Sequence, residues 1–411
     1  MVSDEPIWQP AQPGAQTRSV LVGVTGGIAV YKAVDVVRSL VKEGFAPTVV
    51  ATEAAKRFVM PLTFAAVSQQ AVLDDESAWQ ATQGWFRHIE AARQAKVMAV
   101  APATANTIAK MAAGIADNLL TAIYLAFRGP TIVAPTMNWA MNEHPATVAN
   151  LRVLAERGVE VLPTEEGELA CGEEGSGRMA PPAAIRLAVR RAFAGTAAGP
   201  LAGKKVVVTS GGTRERIDAV RFIGNRSSGK MGRAVADEAY LRGARLTLVT
   251  TQPADGVPYD VVRVESADDM AAAVRAQVRD ADVLVMTAAV ADFKPRVEEA
   301  GKIQRGDRET LTLELVRTVD ILADAARPGL FRVGFAAEAG PQLWRAREKK
   351  AAKGVDLLVF NDILAEGVGI GADENEITII TAREEIQVPR GSKSACAVAI
   401  ADQIEAGLQA R

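Results

Sequence analysis

The amino-acid sequence predicts an α/β protein built from two doubly wound, Rossmann-like domains. Two observations support this prediction: a β-branched strand runs into a glycine-rich turn at residues 19–27, and the same pattern recurs at residues 204–213. After each opening, short apolar strands alternate with helical stretches, which is typical of a parallel sheet covered by helices on both faces. Residues 191–203, small and marked by glycine and proline, are predicted to link the domains.

The first domain is predicted for residues 19–190. Its opening strand leads into a helix that ends at Gly44, because apolar residues recur at three- and four-residue spacing. These residues are Ile28, Tyr31, Val34, Val37 and Val41. Further strands are predicted at 48–51, 97–102 and 131–135, with helices between them.

The second domain is predicted for residues 204–411. After its opening strand, a helix is expected at 230–241, and a hairpin at 376–381 and 385–388 precedes a closing helix at 392–409. The remaining strands are predicted at 245–251, 261–265, 282–290, 332–335 and 356–361.

Composition excludes several classes of protein. The 411 residues are 49% hydrophobic and 23% charged, with a net charge of −2, so neither a disordered chain nor a nucleic-acid-binding charge pattern is indicated. The two histidines and two cysteines lack zinc-ligand spacing, and Cys171 and Cys396 fit a reducing cytoplasm rather than a disulfide scaffold. No apolar run is long enough for a membrane helix, and residues 1–18 are expected to be a disordered lead-in.

Polar residues follow three strand ends of the first domain. The turn Thr25-Gly26-Gly27 is placed to bind a phosphate, although it lacks the full G-x-G-x-x-G spacing of a dinucleotide fold. Small residues at 101–107 allow a planar ligand to approach the backbone, and residues 134–141 combine an amide, an indole and two thioethers. A tight turn and ordinary helix caps remain the alternative interpretation of these features.

Together these residues resemble the flavin-dependent cysteine decarboxylase family. The resemblance covers about residues 19–190 and rests on Gly26-Gly27-Ile28-Ala29, Tyr31-Lys32, His88, the segment 101–110, the Pro-x-Met-Asn segment with Met141, and the Ala-Cys-Gly segment around Cys171. It implies a flavodoxin-like fold and FMN, which in this family oxidises a cysteinyl thiol so that CO2 can leave.

The resemblance also implies site residues. His88 is the expected acid/base, Asn138 the group that holds the substrate carboxylate, and Cys171 the proton donor. The residues expected to contact FMN are Gly26, Gly27, Thr52, Ala103, Thr104 and Asn106. The chain departs from the family at Gly27, where serine is frequent, and at Thr136, where alanine is frequent.

The second domain contains a loop that narrowly misses a P-loop. This loop is expected either to bind an anion or to cap the following helix through Ser227 or Ser228. Residues 224–230 have the G-x4-G-K spacing, but Met231 replaces the Ser or Thr that ligates Mg²⁺, and the preceding strand ends too early. Arg345, Lys349 and Lys353 lie on one helical face, where a bound polyanion or a solvated basic surface can explain their spacing.

These features resemble the phosphopantothenate–cysteine ligase family over about residues 203–410. The matching motifs include residues 209–215, 217–222, 225–232, 288–295, Lys302-Ile303 and 334–338. The resemblance implies CTP as the substrate, with Mg²⁺, and an acyl-cytidylate that the amine of cysteine attacks. One departure is Gln304, where a second lysine is common.

This second resemblance implies roles for its own residues. Asn225 and Arg221 are expected at the acyl-cytidylate, and Lys302 at phosphate charge. The residues expected to bind CTP are Ala289, Asp292, Lys302, Val319, Asp320, Ile321, Leu322, Phe335, Lys349 and Lys353.

The two resemblances, in this order, are those of the bifunctional decarboxylase/ligase family of coenzyme A synthesis. They imply a cytoplasmic homo-oligomer with trimeric decarboxylase units, assembled as far as a dodecamer, dimeric ligase domains and a flavin site shared between subunits. A nicotinamide-dependent reductase and a non-catalytic relative that has kept the fold are the competing hypotheses. His144 and Cys396 are expected to be structural.

Overall fold

The computed structural model describes residues 18–79, 86–170, 172–195, 199–254, 256–305, 309–340, 342–365, 367–368 and 371–411. Residues 1–17, which make up nearly all of the expected lead-in, and Cys171 lie outside the described residues. The chain divides into two compact units, Met1–Phe193 and Ala194–Arg411.

The first unit alternates strands and helices. Its strands are β1 (Ser19–Val24), β2 (Ala46–Ala51), β3 (Val97–Ala103), β4 (Thr131–Pro135), β5 (Glu160–Val161), β6 (Glu165–Glu168) and β7 (Glu174–Arg178). Its helices are α1 (Val30–Lys42), α2 (Glu53–Lys56), α3 (Pro61–Ser68), α4 (Arg87–Gln94), α5 (Ala105–Ala113), α6 (Leu119–Ala126), α7 (Trp139–Glu143), α8 (Pro145–Glu156) and α9 (Pro182–Ala194).

Five strands of the first unit form a parallel sheet in the order β2-β1-β3-β4-β5. This is the flavodoxin-like order, in which the chain changes direction across the sheet between β1 and β3. Apolar clusters cover both faces of the sheet, as a buried parallel sheet requires. The predicted flavodoxin-like fold is therefore confirmed.

The apolar residues of helix α1 have the predicted helical spacing, but the face that the helix buries differs from the predicted one. The sequence pattern assigned Ile28 and Tyr31 to the apolar face, yet these side chains are 58% and 57% exposed. The helix begins at Val30, so Ile28 lies in the turn before it. The residues that α1 buries are Val30, Ala33, Val36, Val37 and Leu40. The prediction for Ile28 and Tyr31 was wrong because the helix start sets which face meets the sheet.

The second unit contains more strands than the first. They are β8 (Lys205–Ser210), β9 (Arg214–Arg216), β10 (Phe222–Gly224), β11 (Arg245–Thr250), β12 (Asp260–Arg263), β13 (Val283–Met286), β14 (Phe293–Pro295), β15 (Leu315–Arg317), β16 (Phe331–Glu338), β17 (Leu357–Asp362), β18 (Glu374–Ile380) and β19 (Glu385–Ser392). Its helices are α10 (Lys230–Leu241), α11 (Ala267–Gln277), α12 (Ile321–Asp324), α13 (Leu343–Lys353) and α14 (Lys393–Gln409).

The main sheet of the second unit has the order β12-β11-β8-β13-β16-β17-β18-β19. Its first six strands are parallel and follow the Rossmann-like order, with the change of direction between β8 and β13. Strands β18 and β19 form the predicted hairpin and pair antiparallel. Two short pairs, β9–β10 and β14–β15, stand outside this sheet.

The strand predicted at 282–290 is the largest boundary error in the second unit. Regular pairing stops at Met286, and the following residues continue as an irregular loop. Small apolar residues make this loop look like a continuation of the strand in the sequence. Its pairing is reduced to an isolated parallel bridge between Gly212 and Ala289, and threonine side chains of β8 and of the turn after it bind the neighbouring backbone. Threonine Oγ1 atoms of Thr209 and Thr213 accept from the N–H groups of Ala288 and Ala291 at 3.1 and 2.9 Å.

Helix α14 closes the second unit against α10. Arg242, just after α10, donates to Glu238, Asp402 and Glu405 at 2.8, 2.7 and 2.7 Å, and its side chain is only 16% exposed. Cys396 of α14 is fully buried, so its predicted structural role is confirmed.

Candidate active sites

A pocket of about 630 Å³ opens at the carboxyl edge of the first sheet, where doubly wound folds bind their ligands. Residues that follow four of its strands line it. The lining includes Gly26, Gly27, Thr52, Glu53, Ala54, Asp75, Thr104, Asn106, Lys110, Asn118, Thr136, Met137 and Met141. Five of the six residues predicted to bind FMN are therefore together in one place.

A buried hydroxyl fixes the floor of this pocket. Thr25 Oγ1 donates to the carbonyl of Pro102 at 2.8 Å and accepts from the N–H of Thr104 at 3.0 Å, which joins the ends of β1 and β3. The neighbouring backbone then approaches α2 closely. A Cβ on Gly26 would lie 2.3 Å from the Cβ of Ala54 and 2.9 Å from its carbonyl carbon, so this position requires glycine.

We expect Gly26→Ala to weaken flavin binding by about 10- to 100-fold, because overpacking a well-packed site costs about 1–3 kcal/mol. The comparison variant is Gly27→Ala, which should weaken flavin binding less although Gly27 also lines the pocket, since a Cβ there would meet the Thr104 and Thr136 methyl groups at 3.6 and 4.0 Å. Flavin absorbance per polypeptide and the FMN dissociation constant after reconstitution measure the effect. Equal flavin retention by the two variants would contradict the assigned cradle.

The remaining predicted FMN residues differ in their surroundings. Thr52 caps α2, with its Oγ1 accepting from the N–H of Ala55 at 3.3 Å. Asn106 is exposed in the first turn of α5. Ala103 does not line the pocket within the described part of the chain: it is fully buried at the end of β3, where its carbonyl accepts from Thr136 at 3.0 Å. Its contribution is therefore to place the residues around it.

Asn138 is the N-cap of α7, and its side-chain amide contacts a carboxylate of its own chain. Its Oδ1 accepts from the N–H of Ala140 at 2.9 Å, which aims the amide nitrogen outward. That Nδ2 donates to the Glu173 carboxylate at 2.7 Å, and Trp139 Nε1 donates to the same oxygen at 3.0 Å. The pair of donors is therefore suited to a carboxylate, which is the ligand that the sequence resemblance implies for Asn138.

The two histidines have different surroundings. His88 is half-buried in the first turn of α4 and stacks on the exposed Phe86 ring, with ring centroids 6.1 Å apart. Among the described residues it does not line the pocket around Gly26. His144 caps α8, where its Nδ1 accepts from the N–H of Ala146 at 3.2 Å, so its predicted structural role is confirmed.

The second unit has a larger pocket, of about 880 Å³, at the carboxyl edge of its own sheet. It brings together most of the predicted ligase residues. These are Asn225, Ala289, Asp292, Val319, Asp320, Ile321, Leu322, Phe335, Lys349 and Lys353. Within the described chain, six basic and two acidic side chains line it, so the pocket is strongly electropositive and fits a polyanion.

The loop after β13 and the loop before α10 meet at Asn225. Asn225 Nδ2 donates to the carbonyl of Val290 at 3.0 Å, and Ser210 Oγ donates to the carbonyl of Gly229 at 2.9 Å. Gly229 adopts the left-handed conformation at the start of α10 (φ +71°). The residues at the start of α10, from Gly229 to Gly232, line the pocket, and a helix start at a pocket is an arrangement that suits an anion.

Two lysines of α13 face the opposite wall of this pocket. Lys353 forms an ion pair with Asp320 at 3.3 Å. Burial, and then the charge of Lys353, lower the pKa of Lys349, although Glu338 and Asp292 act in the opposite direction. A partly buried ammonium beside another cation is destabilised, and a bound anion relieves this.

Arg221 and Lys302 lie outside the described lining of the pocket. Both side chains are largely exposed, and their backbones belong to two loops that a buried carboxylate, Asp218, holds together. The structure thus groups these two predicted catalytic residues with each other rather than with the wall around Phe335.

Several residues at these sites had no role predicted from the sequence. Glu173 and Asp218 make contacts that shape the loops, and Lys230 and Lys393 add charge to the second pocket. Thr25 was predicted only as part of a phosphate-binding turn, and its hydroxyl instead joins the ends of β1 and β3. Asp218 had a signal in the sequence, since it stands three residues before Arg221 in a matching motif. Glu173 and Lys393 had none, because their partners are distant in the chain.

The described residues contain neither a metal-binding cluster nor a membrane-spanning helix. No group of three or more His, Cys, Asp or Glu side chains there is arranged to hold a metal ion. No helix in that part of the chain has the length and apolar character needed to cross a membrane.

Two α/β units, each with a polar pocket at the carboxyl edge of its parallel sheet, define a two-domain protein of the doubly wound class, in which this edge is where ligands bind. Comparison with known proteins identifies the family within this class. Residues 11–193 match the family profile described as Flavoprotein, and residues 201–408 match the DNA/pantothenate metabolism flavoprotein C-terminal domain.

Relatives of similar length extend over both units. The Bacillus subtilis coenzyme A biosynthesis bifunctional protein CoaBC is 45% identical over 88% of this chain and 90% of its own. The Mycobacterium tuberculosis protein of the same name is 43% identical over 94% of this chain and 96% of its own. The chain therefore belongs to the CoaBC family of bifunctional coenzyme A biosynthesis proteins.

Among solved structures, the C-terminal domain of a coenzyme A biosynthesis bifunctional protein CoaBC is similar to part of this chain. It is 36% identical, with a TM-score of 0.45, and the match covers 52% of this chain and 100% of that one.

Proposed function

We propose that the chain catalyses two consecutive steps of coenzyme A biosynthesis. The second unit condenses 4′-phosphopantothenate with cysteine at the expense of CTP, through an acyl-cytidylate. The first unit decarboxylates the resulting 4′-phosphopantothenoyl-cysteine to 4′-phosphopantetheine. The observation that supports this most strongly is the presence, in one chain, of a pocket lined by Gly26 and Gly27 and of a second pocket lined by six cationic side chains.

The residues of the first pocket fit FMN. Gly26 leaves a cradle that a Cβ would fill, and the N–H groups around Thr104 lie at a helix start that suits a phosphate. FMN supplies the electron sink that no amino-acid side chain provides for loss of CO2. Asn138 orients the substrate carboxylate, His88 moves the proton at the cysteinyl group, and Cys171 returns a proton to the product.

In the ligase unit, the cations stabilise charge. Lys349 and Lys353 hold the triphosphate, while Asp292 and Phe335 contact the cytidine. The carboxylate of 4′-phosphopantothenate attacks the α-phosphorus and pyrophosphate leaves. Asn225 and Arg221 hold the acyl-cytidylate, and Lys302 neutralises phosphate charge until the cysteine amine displaces CMP.

Three finer proposals complete this function. Mg²⁺ accompanies CTP, because a triphosphate needs a divalent counter-ion during nucleotidyl transfer. The chain works as a homo-oligomer of trimeric decarboxylase units, up to a dodecamer, with paired ligase units. It acts in the cytoplasm, where cysteine thiols remain reduced.

One reaction mixture tests the whole proposal. The purified protein is incubated with 4′-phosphopantothenate, cysteine, CTP and Mg²⁺, and the products are measured by mass spectrometry. We expect 4′-phosphopantetheine, CO2, CMP and pyrophosphate. Absence of both 4′-phosphopantetheine and pyrophosphate would overturn the proposal, and oxidation of NADH or NADPH would instead favour a reductase.

CTP affinity is expected to decrease as the pH rises, and the decrease should begin at a lower pH than it would if the lysine that binds CTP were fully exposed. The lowered pKa of Lys349 means that its ammonium deprotonates first, and the triphosphate binds the charged form. Affinity is therefore constant below this pKa and decreases above it, with proton uptake on binding. Lys349→Arg should remove this pH dependence, whereas the control Lys350→Arg should keep it. Calorimetry in buffers of different ionisation enthalpy measures the uptake.

A further inference from the structure

Asp218 is a carboxylate that the second unit buries completely. It lies in the loop between β9 and β10. Its Oδ1 accepts from the backbone N–H groups of Val220 and Arg221 at 2.8 and 2.7 Å. Its Oδ2 accepts from the Arg221 side chain, at 2.9 Å from Nε and 2.6 Å from Nη2, and from the N–H of Ile303 at 3.1 Å. Every contact is a donor to the ionised form.

Arg221 completes a closed set of contacts with the second loop. Its Nη2 also donates to the carbonyl of Ile303 at 2.6 Å. The N–H of Ile303 therefore bonds to Asp218 while its C=O bonds to Arg221, so both backbone groups of one residue are held by one ion pair. A third bond, from the N–H of Glu299 to the carbonyl of Ile217 at 3.1 Å, runs beside this set.

Desolvation by itself raises the pKa of Asp218, but the hydrogen bonds from Val220, Arg221 and Ile303 outweigh it and hold the pKa well below its usual range. The carboxylate is therefore ionised throughout the pH range in which an enzyme of this kind works. A neutral amide in its place would present an N–H₂ group to donors on one side.

We propose that Asp218 is a positioning residue for the ligase reaction, which fixes the Lys302 loop to the Arg221 loop and thereby sets where the Lys302 ammonium acts. Lys302 precedes Ile303 directly, so the two bonds to Ile303 define the backbone from which the lysine side chain extends. The inference rests on the role proposed above for Lys302. It adds a residue that touches no substrate and acts through another residue.

A double-mutant cycle tests this inference. We expect Asp218→Asn to slow pyrophosphate release or product formation, whichever Lys302→Gln slows, by at least about tenfold, with the CTP dissociation constant little changed. Because Asp218 acts partly through Lys302 and partly through Arg221, the double variant should lose less than the product of the two single losses. Asp218→Glu, which keeps the charge, should recover part of the rate. Multiplicative effects in the double variant would overturn the inference.

Hydrogen exchange tests the same inference without activity. Exchange in the peptide that contains Ile303 should accelerate in Asp218→Asn and less in Asp218→Glu, while it should stay unchanged in the control Glu298→Gln. Glu298 belongs to the same loop but makes only an exposed ion pair with Arg216 at 4.0 Å. Unchanged exchange in Asp218→Asn would overturn the inference. If the unmodified chain were inactive in the coupled reaction, the proposed function would be overturned. The exchange result would then still decide whether Asp218 fixes the Lys302 loop.

Discussion

Pyrophosphate release by Asn225→Asp is expected to be about 100- to 1,000-fold slower than that of the unmodified chain, the range for loss of one oriented donor to developing charge. The Asn225 amide donates to the carbonyl of Val290 at 3.0 Å. A carboxylate there has no proton to donate, so it would repel both that carbonyl and the phosphates that the loop before α10 is proposed to bind.

The bifunctional chain supplies its own control for this variant. When 4′-phosphopantothenoyl-cysteine is added directly, Asn225→Asp should decarboxylate it at the normal rate, because the first unit has its own core and sheet. Pyrophosphate is measured by a coupled phosphate assay and CO2 by mass spectrometry. Normal pyrophosphate release from the variant would rule out the role proposed for Asn225.

Decarboxylation by His88→Asn is expected to be about 100- to 10,000-fold slower, the usual contribution of a general acid or base. Flavin should remain bound, because within the described chain His88 does not line the pocket around Gly26. The reaction should stop at 4′-phosphopantothenoyl-cysteine, which accumulates and is detected by its mass.

The chain's other histidine provides the matched control. Since His144 acts as a helix cap and asparagine is a favoured cap, His144→Asn should decarboxylate normally.

Oligomers that mix His88→Asn chains with Gly26→Ala chains test whether the flavin site is shared between subunits. In such an oligomer, one chain supplies the intact histidine and the other supplies the intact flavin cradle. Partial recovery of activity is the expected result. No recovery in oligomers shown to be mixed would contradict a site shared between subunits.

Most of the fold could be predicted because the signals are local. The alternation of strands and helices indicates two parallel sheets, and strand β4 (Thr131–Pro135) and helix α10 (Lys230–Leu241) begin and end at the predicted residues. The errors come from tertiary contacts. Helix α1 buries a face one position away from the predicted one, and β13 ends at Met286 because threonine side chains hold the chain that follows.

The sites were less predictable, for a related reason. Residues that follow strand ends, such as Gly26, Thr104 and Asn225, are predictable because a doubly wound sheet collects them at one edge. Ala103 is too deeply buried to line the pocket, and its place depends on packing. The contacts from Asp218 to Ile303 and from Asn138 to Glu173 join positions 85 and 35 apart, and no periodicity connects them.

The ion pairs of Arg242 connect helix α14 to helix α10, whose first residues line the pocket of the second unit. Helix α10 carries the loop of Asn225 at its start, and Arg242 ties its other end to Glu405, 163 positions later. Within the described chain, Lys393 is the one residue of α14 that lines the pocket. Deletion of α14 should nevertheless abolish CTP binding, because α10 would lose the helix that packs against it. For protein engineering, an isolated ligase fragment has to retain this last helix to be functional.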